Sequence, residues 1–141
     1  MPRTITKTAW YPHPPARVWL ALIDADALAR WLMPNDFRPA LGHTFTLRTE
    51  PAPGFDGVVH CEVLELDEPR AMTWRWRGGP VDTQVRFELE PEREGTRLRL
   101  TQSGFEGLPA RMVSLILARG WAKMFAGSLP RELERSARAS A

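Results

Sequence analysis

Through the middle of the chain apolar and polar residues alternate. Met72, Trp74 and Trp76 alternate with Thr73, Arg75 and Arg77. Thr83, Val85, Phe87 and Leu89 alternate with Gln84, Arg86, Glu88 and Glu90. Thr96, Leu98, Leu100 and Gln102 alternate with Arg97, Arg99 and Thr101. A period of two places one set on a dry sheet face and the other on a wet one. The breaks between runs are short, at residues 78–80 and 93–95. Three strands so connected form an antiparallel meander. The turn at 93–95 is expected to set Glu88 opposite Arg97 in a cross-strand charge ladder, worth about 0.2–1 kcal/mol per pair.

Upstream, the threonine-rich segment 3–11 reads as a strand. Pro14 and Pro15 open a short helix over 14–22, since proline suits a first helical turn. Asp24 has the chemistry of an N-cap for a second short helix ending near Trp31. Phe45 and Leu47 alternate with Thr44 and Thr46, and residues 58–66 make a strand of less clean pattern. In the last third the period changes. Val113, Leu117, Trp121, Phe125 and Leu129 recur every four residues, with Ile116 and Met124 beside them. That is one face of a long helix starting near Pro109 and running into the 130s. Pro130 should kink or restart it, and the tail 136–141 should fray. One sheet with one apolar face, covered by one amphipathic helix, is an α+β two-layer fold.

Composition narrows the class. The 141 residues fit a single domain, 1–141, able to bury a core without staples. One cysteine, Cys61, excludes a disulfide framework. No apolar run reaches the roughly 18 residues of a membrane span. The first ten residues lack the apolar stretch of a signal peptide. A cytoplasmic location is expected, without membrane insertion. The net charge of +2 gives no reason to expect nucleic acid as a partner. Arginine outnumbers lysine 17 to 2, which fits the base composition of a high-GC bacterial genome.

Several stretches, in order, resemble the START-like, or SRPBCC, superfamily. They are HPPARVWLALIDADALARWLMP (13–34), GHTFTL (42–47), GVVHCEVLELDEPRAMTWRW (57–76), GTRLRLTQSGF (95–105) and GW (120–121). Within it the chain resembles homologues of the activator of the heat-shock-protein-ninety ATPase. The resemblance implies a helix-grip fold: about six strands in a curved antiparallel sheet around a long C-terminal helix, with two short helices after the first strand. It also implies an apolar cavity between sheet and helix. It implies no single activity, because the superfamily holds lipid carriers, hormone receptors, polyketide cyclases and cochaperones. The eukaryotic cochaperones carry a further N-terminal domain that 141 residues are too few to include, so a chaperone role is not the leading expectation.

On that frame the candidate cavity lining is Trp74, Trp76, Phe87, Leu100, Gln102, Leu117, Trp121 and Met124. An apolar wall with few polar groups suits an apolar, aromatic or lipid-like ligand, and the same residues equally suit plain core. The expected pocket measures roughly 300–1,000 Å³. Gln102 continues an inward stripe, so it either holds a partner or ligand or has reached the wet rim. His13, His43 and His60 show no metal-ligand spacing, and no phosphate-loop, dinucleotide or nucleophile-elbow motif occurs. His60 and Glu62 share a strand face and read as a solvated pair or an acid–base pair. Cys61 reads as a small buried hydrophobe. The leading expectation is therefore a small-molecule binding protein without metal or redox cofactor. The alternatives are a cochaperone-like interaction module or homodimer, which would expose an apolar patch, and a cyclase or hydrolase-type enzyme using the same cavity.

Overall fold

A computed structural model describes residues 3–140. The elements run β1 (Arg3–Tyr11), α1 (Pro15–Ile23), α2 (Ala25–Trp31), β2 (Thr44–Arg48), β3 (Val58–Asp67), β4 (Ala71–Gly78), β5 (Val81–Glu92), β6 (Gly95–Phe105), α3 (Leu108–Lys123) and α4 (Leu129–Ser140). A π-helical segment, Met124–Ser128, joins α3 to α4. The strands form one antiparallel sheet in the order β1-β6-β5-β4-β3-β2. This is the helix-grip arrangement.

The alternation places the residues as expected. Met72, Trp74, Trp76, Val85, Phe87, Leu89, Leu98 and Leu100 are buried on the inner face. On the outer face Arg75 pairs with Asp82 (2.8 Å), Arg86 with Glu65 (3.0 Å) and Glu88 (3.1 Å), and Arg97 with Glu90. The ladder exists, but its register differs from expectation: Glu90 faces Arg97, and Glu88 faces Arg99. The hairpin is tighter than 93–95, since only Arg93 and Glu94 form the turn, both at positive φ (51° and 61°). The less clean pattern of β3 has a local cause. A bulge between Val63 and Glu65 reverses the parity: after Val59, Cys61 and Val63 have faced in, Glu65 joins Thr73 and Arg86 on the outer face and Leu66 turns in opposite Met72. Gly95 sits where a Cβ would lie 2.2 Å from the Tyr11 carbonyl oxygen, so only glycine lets β1 lie this close.

Asp24 caps α2, its side chain accepting from the Ala27 amide (3.0 Å). The long helix is not uniform. α3 lies mainly against β1 and β6, and α4 against α1 and α2. The helix restarts at Pro130, as expected: α3 ends at Lys123, the turn before Pro130 widens into the π segment, and α4 begins at Leu129. There the Leu129 amide reaches back five residues to Met124. The next such bond, to the Phe125 carbonyl, would need an N–H that Pro130 lacks. The Tyr11 hydroxyl donates to that carbonyl instead (2.7 Å). The tail does not fray within the described residues: α4 is helical to Ser140, and Arg17 reaches the Ser136 hydroxyl (3.4 Å). Ala141 lies outside them. Ile116 leaves the inner face, being 69% exposed. It lies three residues after Val113, which rotates it about 60° outward around the helix.

Candidate ligand-binding seam

Period two carries Gln102 to the inner face of β6, and period four carries Trp121 to the inner face of α3. They meet in the interior. The Trp121 indole Nε1 donates to Gln102 Oε1 (2.9 Å), Gln102 Nε2 donates to Thr83 Oγ1 (3.0 Å), and Thr83 Oγ1 donates to the Trp76 carbonyl (3.1 Å). Gln102 is fully buried, so it has not reached the wet rim. Its partners come from β5 and α3. One amide hydrogen and one oxygen lone pair are still unused by these bonds.

The aromatic residues form a continuous set around this chain. Trp121 lies 5.6 Å from Trp76, 6.1 Å from Phe87 and 6.2 Å from Phe125, ring centre to ring centre. Trp74 stands edge-on to Phe87 (4.9 Å) and Phe45 (5.1 Å), and its Nε1 is buried without a hydrogen-bond partner. Leu100 is fully buried opposite Phe87. The Trp121 end of the helix–sheet seam is thus occupied by side chains. Val113, Leu117 and Met124, on the inward stripe of the long helix, are only half-buried. Because α3 rests mainly on β1 and β6, this apolar stripe borders a seam that solvent reaches. A separate cleft of about 830 Å³ opens between the 51–57 loop and the β4–β5 turn, away from the seam, with His60 and Arg77 among its walls.

Burial sets the protonation chemistry nearby. The Cys61 thiol faces in and is pushed up to about 12 by burial, with the Asp36 carboxylate adding to the rise. Burial also pushes the Tyr11 phenol well above its ordinary value. Both groups are protonated near neutral pH. His60 is exposed, and Glu62 shares its outer face, opposite Arg77 and Arg75 respectively. Asp36 is held low by hydrogen bonds from the Thr46 amide and hydroxyl. Among the described residues no three His, Cys, Asp or Glu side chains converge as a metal site would require. The seam therefore offers indole, amide and hydroxyl groups for hydrogen bonding and a large aromatic surface. Lys7 is a basic group that the alternation did not single out. It lies half-buried on the inner face of β1, between Ile5 and Ala9 and opposite Leu100. Its place follows from the Ile5, Ala9, Tyr11 period.

With this geometry in view, comparison with known proteins is informative. A model of the Activator of Hsp90 ATPase homolog 1-like protein family matches residues 12–134. The chain belongs to that family. A solved structure similar to this member is protein MLL2253 of Mesorhizobium loti, 32% identical, covering 94% of this chain and 98% of that one, with a TM-score of 0.85. The solution structure of the Aha1 dimer from Colwellia psychrerythraea is 23% identical, with coverages of 94% and 96% and a TM-score of 0.76. CalU16 of Micromonospora echinospora is 22% identical, with coverages of 98% and 85% and a TM-score of 0.68. The last two likenesses concern the fold alone. No curated protein matches the chain in sequence. The fold of the Activator of Hsp90 ATPase homolog 1-like family is one that holds ligands, and no helix among the described residues is long and apolar enough to cross a membrane.

Proposed function

We propose that the protein binds an apolar or aromatic small molecule in the seam between α3 and the inner face of the sheet. The observation that carries this reading is the half-burial of Val113, Leu117 and Met124 beside a buried wall of Trp76, Phe87, Leu100 and Trp121. An apolar surface that is neither sealed nor turned to solvent gains most from a ligand that completes its burial, at about 25 cal/mol per Å². Trp74 forms the far side of the same wall. Gln102 supplies the polar contact through its unused hydrogen and lone pair. Recognition then rests on shape and apolar area, with one hydrogen bond to set orientation. Cys61 and Tyr11, which face the interior, are held protonated, which favours binding over acid–base catalysis by either of them.

The test is a thermal-shift screen against fatty acids, flavonoids and polyketide-like aromatics, with native mass spectrometry of the purified protein. A true ligand at a hundredfold excess over its Kd should stabilise the fold by about 2.7 kcal/mol. Leu117→Trp, which fills the seam from a half-buried position, should abolish the shift while raising the unliganded Tm or leaving it unchanged. No shift with any compound, together with no retained molecule, would overturn the reading. An undiminished shift in Leu117→Trp would move the ligand elsewhere.

A further inference from the structure

The two arginines on the outer face of β4 differ in their partners. In register, Asp82 stands opposite Arg77, and Gln84 opposite Arg75. Asp82 nevertheless gives both carboxylate oxygens to Arg75, accepting from its Nε (3.1 Å) and Nη2 (2.8 Å). Those bonds are the first cause that holds the Asp82 carboxyl low, and the Arg77 charge is the least. Glu62 also faces Arg75, from β3. Arg77 faces His60 instead, and both side chains are exposed. Among the described residues, neither of these two side chains has an ion-pair or hydrogen-bond partner. One guanidinium and one imidazole are thus left side by side on neighbouring strands.

Both line the cleft of about 830 Å³ between the 51–57 loop and the β4–β5 turn. That volume lies within the roughly 300–1,000 Å³ of small-molecule sites. The walls are held by close backbone contact. Two bonds between Ala52 and Phe55 (both 2.9 Å) close the loop at its tip, and the Thr49 amide on the Gly57 carbonyl (2.8 Å) closes its base. Where loop meets turn, glycine is required. A Cβ on Gly79, which is at positive φ (54°), would lie 3.1 Å from the Gly54 carbonyl oxygen, and one on Gly78 would lie 3.1 Å from the Phe55 ring. Phe55, Val58, Pro80 and Val81 give the cleft an apolar wall. Of its two acids, Asp82 is held by Arg75, and Asp56 accepts from the Val58 amide of its own loop (3.1 Å). The Asp56 charge stays in the lining, so the cleft suits a single negative charge better than a double one.

We propose that this cleft binds a small aromatic carboxylate, its ring against the apolar wall and its carboxylate on the Arg77 guanidinium, with the His60 imidazole beside it. A guanidinium is a planar fork of donors that meets a carboxylate in two parallel bonds, and Arg77 has that fork unused. The Phe55 ring offers the flat body of the ligand a stacked or edge-on contact. The proposal is independent of the seam between α3 and the sheet, which shares no residue with the cleft.

The experiment follows the backbone amide signals of the full chain by nuclear magnetic resonance while one probe at a time is added to about 10 mM, enough to saturate a millimolar site. The probes are 2-naphthoate, the uncharged 2-naphthamide and inorganic phosphate. Naphthoate should move the Gly54, Gly78 and Gly79 signals saturably. Naphthamide, with the same ring and no charge, should bind at least about tenfold more weakly, as the loss of a charge-assisted bond requires. Phosphate should leave the three signals in place. Arg77→Gln, changed at an exposed position, should keep the wild-type spectrum elsewhere and bind naphthoate about tenfold more weakly. Leu117→Trp should bind naphthoate in the cleft as the wild type does. No saturable movement of the three glycine signals would overturn the proposal. So would an affinity for naphthoate unchanged in Arg77→Gln or matched by naphthamide, since the charge would then not be read. Phosphate binding as tightly as naphthoate would overturn the aromatic part. Loss of the glycine shifts in Leu117→Trp would place the ligand in the seam and overturn the cleft as its site.

Discussion

Gln102 joins sheet to helix through one amide, and its environment makes the bond testable. Gln102→Leu leaves the Trp121 indole N–H buried without an acceptor and should cost about 1–3 kcal/mol. Trp121→Phe removes the donor and carries a cost of similar origin. Made together, the two changes should cost less than their sum by about 0.5–3 kcal/mol in urea unfolding; strict additivity would show that the bond holds nothing. The inward position of Gln102 was legible from alternation alone. Its partner was not, because Trp121 arrives on another element and only the packing of α3 brings them together. Glu132 was less legible still. In the run ArgGluLeuGluArg at 131–135 it looks like one solvated charge among several. In the fold it is buried between α2 and α4 and bonded to Arg30 (2.5 and 3.0 Å) and Arg135 (3.0 and 3.2 Å). Burial pushes its carboxyl upward, but the bonds from the two arginines outweigh that, and the net shift is downward. A lowered folded value stabilises fully above the unfolded value, about 4.3, and the benefit is lost as pH falls through the folded value. Glu132→Gln should therefore be less stable than wild type at neutral pH, with the gap closing below about pH 4. Unfolding midpoints measured from pH 7 to pH 3 check this; a gap constant with pH would rule it out.

At the scale of elements, the π segment is the feature whose cause is most fully traceable. Pro130 withholds an N–H, the Phe125 carbonyl lacks its helical donor, and Tyr11 supplies one from the first strand. Tyr11→Phe should cost about 1–3 kcal/mol through the carbonyl left unpaired. Adding Pro130→Ala returns a backbone donor to the same place. The double variant should recover much of the loss, as read by chemical denaturation; no recovery would mean that Tyr11 acts through packing alone. Every strand and helix had a signal in the sequence, yet some details escaped it. The Arg93–Glu94 turn adopts positive φ without the Asn-Gly pair that usually announces it, so the ladder register was two residues out. Leu64 begins a change of parity that a strict period of two cannot express. Ile116 follows the inner stripe closely enough in sequence to be taken for part of it, and a rotation of about 60° is enough to expose it.

The whole molecule is a sheet that shows arginine–carboxylate pairs on its outer face and an aromatic wall on its inner face. Across that wall lies the long helix. The fold was legible because alternation and the four-residue period are dictated by burial. The half-burial of Val113, Leu117 and Met124 was not, since it depends on where the long helix comes to rest, α3 on β1 and β6, and no local pattern encodes that. Lys7 adds a consequence at this scale. β1 ends the sheet with an unpaired edge nine residues long, the sort of border onto which another chain's strand can zip. A newcomer laid there would bring its own inward residues alongside the Lys7 ammonium and have to dehydrate it. One charge placed midway along the inward row thus guards the border against runaway strand addition and fibre growth.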